Sequence, residues 1–421
     1  MKEYFPRVID SHLSETLEHS GAILIEGVRW CGKTRTAKEH AASEISLQDP
    51  DRSESYLKMA EIKPSLLLNG ETPRLIDEWQ MVPSLWNSVK YTVDKRYGNP
   101  GQFILTGSAT PPKDDKRHSG AGRITMVRMR PMSLFESRDS NGLVSLRGLF
   151  DREHDIEAIS ELSIDRLSSA VVRGGWPGLM DLKEKYVMRE MQNYVESIIS
   201  IDISKPDDVD RSPAIARKLM RSISRNISSV ANMSTIRNDM AGDDDMISDK
   251  TVSSYIGALR RIFVVEDVPA WNPSLRSKTA VRASPKRHFV DPSIAAAVIR
   301  ISPNGLLEDL NTFGLLFESL CVRDLRVHSQ ILDGEVFHYR DRYDLEADAV
   351  IHLNDGRWGA AEIKMRNNEI DKAAKNLKKL KERVDTDRMK EPSFLMVLTA
   401  TEYAYQREDG VLVVPIGCLG P

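Results

Sequence analysis

Three short apolar stretches, Ala22–Ile25, Arg74–Ile76 and Gln102–Leu105, alternate with amphipathic segments over the first 137 residues. That alternation predicts buried parallel strands separated by helices. Residues 138–210 read mostly as helix, interrupted by Arg173-Gly-Gly-Trp-Pro-Gly178, which no helix runs through. Two helices are predicted next, over Ser224–Arg237 and Asp249–Val264, followed by a strand pair at Phe263–Val268 and Lys286–Val290. A helix over Gly305–Arg326 leads into strand-like runs. Two of these, Tyr343–Leu353 and Trp358–Met365, flank Asn354-Asp-Gly356, a strong hairpin signal. A lysine-rich helix is predicted over Asp371–Arg388, its charged face turned to solvent. The expected organisation is an α/β chain without repeats in four modules: 1–137, 138–210, 211–300 and 301–421.

Composition narrows the class. At 421 residues the chain is too long for one ordinary core. With 41% hydrophobic and 29% charged residues it is neither disordered nor fibrous. Its apolar runs, such as Val411–Ile416, fall far short of the roughly 20 residues of a membrane helix. The opening Met-Lys-Glu-Tyr-Phe-Pro lacks the apolar core of a secretion signal. Cys31, Cys321 and Cys418 are scattered, which disfavours a disulfide scaffold or cysteine zinc cluster; the expected compartment is a reducing cytoplasm.

Chemistry enters at Gly27-Val-Arg-Trp-Cys-Gly-Lys-Thr34, a G-x-x-x-x-G-K-[ST] loop between a predicted strand and a predicted helix. Gly27 and Gly32 let the backbone curl so that its N–H groups face a phosphate chain. Lys33 supplies an ammonium for the β- and γ-oxygens, and the Thr34 hydroxyl a Mg²⁺ ligand. Asp77-Glu78 closes the second strand: Asp77 as a metal ligand, Glu78 to orient or deprotonate water. The third strand ends at Thr106-Gly-Ser108, the place of a sensor hydroxyl, with Thr106 the first choice and Ser108 the second. Arg123 opens a further strand and is a candidate arginine finger, acting in cis or in a neighbouring subunit.

These motifs, with Met129-Arg-Pro-Met-Ser-Leu-Phe-Glu136, Gly174-Gly-Trp-Pro177, Thr251-Val-Ser-Ser-Tyr255, Phe289-Val-Asp-Pro292 and Glu362-Ile-Lys364, occur in an order that resembles one group over nearly the whole chain. It is the prokaryotic AAA-type ATP-binding proteins with a C-terminal domain of unknown function, DUF4143. The resemblance implies an AAA+-like ATPase module, a winged-helix-like module and a restriction-endonuclease-like tail.

Residues 211–290 hold 14 Lys+Arg and 7 Asp+Glu, a charge of +7 in a chain that totals −3. Helix, turn, helix and strand pair match a winged helix whose second helix would offer Lys250, Ser253, Ser254, Arg260 and Arg261 to DNA. The acidic run Asp243–Asp245 argues for packing or oligomer contacts instead. Near the C-terminus, alternation puts Glu346 and Asp348 on one strand face and Glu362 and Lys364 on another. Asp348, Glu362 and Lys364 resemble the D-x(n)-E-x-K set of restriction-endonuclease-like nucleases, with Glu318 the acidic residue of the preceding helix. Glu318, Asp348 and Glu362 would hold a divalent cation, and with Lys364 form a second catalytic site.

The leading expectation is Mg²⁺-dependent ATP hydrolysis, coupled to a nucleic-acid-related module. The alternatives are an ATP-gated nuclease and a nucleotide-sensing DNA-binding regulator. ATP, DNA and further copies of the chain are the expected partners.

Overall fold

The computed structural model describes residues 3–108, 120–204, 207, 209–241, 247–273, 284–384 and 389–421. The acidic run Asp243–Asp245 and the end of the predicted helix at residues 385–388 lie outside them. Contacts divide the chain into two compact units.

The first unit comprises Met1–Pro131, Asp202–Asp210 and Ala258–Phe263. Its five strands are β1 (Ala22–Glu26), β2 (Ser43–Ser46), β3 (Arg74–Asp77), β4 (Phe103–Gly107) and β5 (Ile124–Arg128). All neighbours run parallel, in the order β2-β3-β4-β1-β5. Helices α1 (Ile9–His19), α2 (Lys33–Glu39), α3 (Ser53–Ile62) and α4 (Leu85–Lys95) accompany the sheet. Residues 22–25 and 103–107 are buried without interruption, as strands covered on both faces require. Leu24, Ile76 and Leu105 share a core with Trp79, Trp86 and Val89. Because β4 lies between β1 and β3, its last residues fall between the phosphate loop and Asp77.

The second unit comprises Met132–Ile201, Arg211–Gly257 and Val264–Pro421. It begins with β6 (Val144–Ser145), α5 (Leu146–Phe150), β7 (Ala158–Ile159), α6 (Ile164–Arg173), α7 (Glu184–Ser197), α8 (Pro213–Arg225) and α9 (Met233–Met240). Helix α10 (Asp249–Arg261) follows, of which residues 249–257 belong here, then α11 (Pro292–Ile299), α12 (Pro303–Glu308) and α13 (Leu310–Gln330). The rest is β8 (Gly334–Arg340), β9 (Glu346–Leu353), β10 (Trp358–Lys364), α14 (Ile370–Arg383), β11 (Phe394–Thr399), β12 (Tyr403–Gln406), β13 (Leu412–Pro415) and β14 (Leu419–Gly420). Seven strands form a mixed sheet, β7-β12-β13-β11-β10-β9-β8, with the expected β9–β10 hairpin antiparallel. Trp358 and Ala360 pack with Ala373, Ala374 and Leu377 of α14.

Several expectations change here. Of the expected modules, 301–421 lies wholly in the second unit and 138–210 and 211–300 mostly so, while Asp202–Asp210 and Ala258–Phe263 belong to the first. The predicted helix Ser224–Arg237 is instead the end of α8, the turn at 226–232 and the first five residues of α9. Ser228 adopts positive φ between them, and the Asn232 side chain caps α9 by accepting from the Thr235 N–H at 2.8 Å. The helix predicted over Gly305–Arg326 is likewise two, since Asp309 caps α13 by accepting from the Thr312 N–H at 3.1 Å. The predicted strand pair at 263–268 and 286–290 reduces to two antiparallel bridges, Val265–Phe289 and Val268–Lys286.

Three of the sequence motifs meet at one buried node. Asp291 caps α11 and its Oδ2 accepts from the Gly175 N–H at 3.0 Å, while Trp176 donates to Ser293 at 2.9 Å. Arg323, on α13, bridges Asp291 at 2.8 Å and Asp324 at 2.7 Å, and Asp324 accepts from the Leu134 N–H at 2.8 Å. Gly175 has no room for a side chain, since a Cβ would stand 2.1 Å from the Met132 carbonyl oxygen. Burial pushes the Asp324 carboxyl up to about 6 against the pull of Arg323. These motifs therefore hold the unit together.

Candidate functional site

In the first unit the loop between β1 and α2 curls around its own backbone. A Cβ on Gly27 would lie 2.1 Å from the Met129 carbonyl oxygen, so only glycine fits. Gly32 takes φ 102° at the N-cap of α2, a conformation side chains resist. Arg7 clamps the loop from outside, donating to the Cys31 carbonyl at 2.7 Å and the Arg130 carbonyl at 2.8 Å. The buried Lys33 ammonium donates to the Val28 carbonyl at 2.8 Å and has no ion-pair partner among the described residues. A buried ammonium facing only a carbonyl has unspent capacity for an anion.

Asp77 receives two hydroxyls on one oxygen, Thr34 at 2.8 Å and Thr106 at 2.6 Å. The register that sets Ile25 and Ile76 beside Thr106 and Leu105 brings them together. The Glu78 N–H donates to Thr106 at 3.2 Å, and Glu78 sits at positive φ (57°). Its carboxylate accepts from the Gln80 amide and from Ser108 at 3.3 Å. Thus Thr106 touches both acidic residues, whereas Ser108 touches Glu78. The hydroxyl–carboxylate pair Thr34 and Asp77 suits a hard cation that keeps most of its ligands from water and phosphate.

Arg123 is not brought to this site, and its reading as a finger in cis is corrected. It precedes β5, whose first residue pairs with Ala22 at the start of β1, while the loop follows the far end of β1. A five-residue parallel strand separates those ends by about 17 Å. The exposed Arg123 guanidinium pairs with Asp94 at 2.9 Å. The arginine at the loop's end of β5 is Arg128, which pairs with Glu26 at 2.7 Å and lies over the Phe263 ring. Neither Arg7 nor Arg128 was singled out from sequence.

In the second unit Glu318, Asp348, Glu362 and Lys364 do come together, but with a fifth member. The Lys286 ammonium bridges Glu318 at 2.8 Å and Asp348 at 3.2 Å, and Lys364 bridges Asp348 at 2.9 Å and Glu362 at 2.7 Å. Asp348 also accepts from the Ile363 N–H at 2.9 Å. Burial, then the charge of Asp348, pushes the Glu318 and Glu362 carboxyls each up to about 7. Asp348 is held well below the usual carboxylate range: its burial opposes this, and Lys286 and Lys364 overcome it. Among the described residues no group of three or more His, Cys, Asp or Glu side chains could hold a metal ion. In this structure the four predicted residues and Lys286 form an ion-pair cluster in which ammonium groups balance the carboxylates. Glu346 lies outside it, paired with Arg340 at 3.0 Å.

On α10, Lys250, Ser253 and Arg260 are exposed, Ser254 accepts from Arg211 at 3.3 Å, and Arg261 pairs with Asp207. Arg261 is thereby partly neutralised. No described helix is long and apolar enough to cross a membrane.

The parallel sheet, the curled loop and the acidic strand end define a P-loop nucleotide-binding protein. Family models agree: an AAA domain matches residues 19–137, a domain of unknown function (DUF8612) residues 164–305, and DUF4143 residues 313–419. The chain thus joins an AAA domain to a C-terminal DUF4143 domain, the pair that the sequence resemblance implies. Among solved structures it is similar to a Walker-type ATPase (paby2304) of Pyrococcus abyssi, at 14% identity and TM-score 0.43, over 70% of this chain and 96% of that one. It is also similar to a signal-transduction ATPase with numerous domains and a tetratricopeptide repeat sensor from Pyrococcus horikoshii. There the identity is 13% and the TM-score 0.26, over 79% of this chain and 50% of that one. No curated protein matches.

Proposed function

We propose that the first unit binds ATP with Mg²⁺ and hydrolyses it. The observation that carries this reading is the convergence of Thr34 and Thr106 on Asp77 beside the uncompensated Lys33 ammonium. The ammonium and the loop's N–H groups hold the phosphates. Thr34 and Asp77 hold the ion, which when bound neutralises charge on the β- and γ-phosphates. Glu78, braced by Gln80 and Ser108, orients a water and accepts its proton. Thr106 fixes the spacing of Asp77 and Glu78 through one hydroxyl. Replacing Glu78→Gln should leave ATP binding intact and lower kcat at least a hundredfold; an unchanged rate would overturn the assignment.

The nuclease reading is not carried forward, because Glu318 and Asp348 are both engaged by the Lys286 ammonium. DNA contact through Lys250, Ser253 and Arg260 is supported by their exposure on α10. Loss of gel-shift binding in Lys250→Glu tests it. A finger role for Arg123 requires a second copy of the chain, and a turnover number independent of protein concentration would exclude it.

A further inference from the structure

Helices α7, α8 and α11 enclose an open groove of about 860 Å³, all of it within one unit. Its floor is apolar, with Val195, Ile199 and Val298. Its walls carry Arg217, Lys218, Arg221, Arg225 and Arg300 against a single acidic lining residue, Glu196. Arg217 and Glu196 satisfy each other through two hydrogen bonds of 2.9 and 3.0 Å. Arg221, Arg225 and Arg300 are exposed; the charge of Arg300 acts on Glu196, and Arg221 and Arg225 have no side-chain partner among the described residues.

Like charges are not gathered in one groove without cost, because unpaired guanidinium groups repel across an apolar floor. The arrangement also distinguishes between anions. A site for one phosphate converges its donors on a point, whereas Arg217, Arg221 and Arg225 recur every fourth residue, about 6 Å apart along the helix axis. They form a row about 12 Å long. A row of that kind suits a linear polyanion, and a groove of this volume admits a few nucleotides rather than a duplex. None of the described residues lining the groove is aromatic, so recognition rests on the backbone and is indifferent to sequence.

We infer that the α7–α8–α11 groove binds a single nucleic-acid strand through its phosphates. This surface is separate from the α10 residues considered above, and it assigns a ligand class to a region that the DUF8612 model spans. It does not depend on the ATPase reading, which Glu78→Gln tests separately.

The experiment is fluorescence anisotropy of the full chain with a fluorescein-labelled 20-nucleotide single-stranded DNA of mixed sequence, from 50 to 200 mM salt. Arg221→Ala/Arg225→Ala should weaken binding at least tenfold at 50 mM. It should also make the log Kd–log salt slope shallower by about 1.4, at about 0.7 per single-strand phosphate contact. Both side chains are exposed, so far-UV circular dichroism and Tm should match the parent. A folded double variant with unchanged affinity or slope overturns the proposal. So does loss of single-strand binding in Lys250→Glu together with full binding in Arg221→Ala/Arg225→Ala, which would place the strand on α10 and not in the groove. Preference for inorganic tripolyphosphate with no strand binding would make the groove a small-anion site and overturn it equally.

Discussion

Replacing Lys286 with methionine removes the ammonium that bridges Glu318 and Asp348 while keeping a similar length of buried apolar chain. Asp348 retains Lys364 and the Ile363 N–H, so the loss falls mainly on Glu318. Breaking a buried pair costs about 3–5 kcal/mol when the remaining charge cannot escape. Glu318 has an escape, because its carboxyl is already pushed up to about 7 and can take a proton. A carboxyl raised in the folded state contributes stability below its unfolded pKa and loses it as pH rises through the folded one. In Lys286→Met that folded value moves higher still, so above pH 7 the folded variant holds a proton that its parent has released. The penalty should then grow by up to about 1.4 kcal/mol per pH unit, from about 2 kcal/mol at pH 6 to about 5 kcal/mol at pH 9. Two units make a whole-chain melt a poor reporter. Native-state hydrogen exchange of the β9 and β10 amides, corrected for intrinsic rates, reads the cluster directly. A penalty that is constant across this pH range, or absent, would refute the ion-pair account.

Gly27→Ala should abolish ATP binding by calorimetry with the fold retained, since the new Cβ meets the Met129 carbonyl oxygen at 2.1 Å; a Kd within twofold of the parent would refute it. Thr106→Val removes the hydroxyl shared by Asp77 and Glu78 without changing volume. It should lower kcat by about ten- to a hundredfold with little change in KM, as misplacement of a catalytic group does. Arg323→Met leaves Asp291 and Asp324 buried without their guanidinium and should destabilise the second unit by about 3–5 kcal/mol in urea unfolding. The first unit's ATP affinity should be unaffected.

Local chemistry was legible in the sequence, whereas chemistry assembled over distance was not. Gly27–Thr34 and Asp77-Glu78 are contiguous motifs whose backbone needs are written in their residue types, and the β9–β10 hairpin follows from Asn354-Asp-Gly356 and alternation. Arg7, which grips the loop 24 residues away, carries no local signal for that contact. Lys286 is no more visible, since it stands 32 residues before Glu318 and 62 before Asp348. The bridges that place it there are single residue pairs with no strand periodicity to announce them. The Asn232 cap, by contrast, was readable and outvoted by the helical character of its neighbours.

Arg123 differs again, because the information that relocates it was present all along. A residue that opens a strand in an all-parallel sheet must lie at the end opposite every loop that follows a strand. Gly27–Thr34 follows β1, Asp77-Glu78 closes β3 and Thr106 lies near the end of β4, so chemistry gathers at one edge. That edge is where ligands of open α/β sheets bind. The same polarity selects Arg128, which ends β5 beside Glu26, as the arginine nearest the phosphate loop on that strand. Strand direction thus decides between two arginines that composition and motif spacing treat alike.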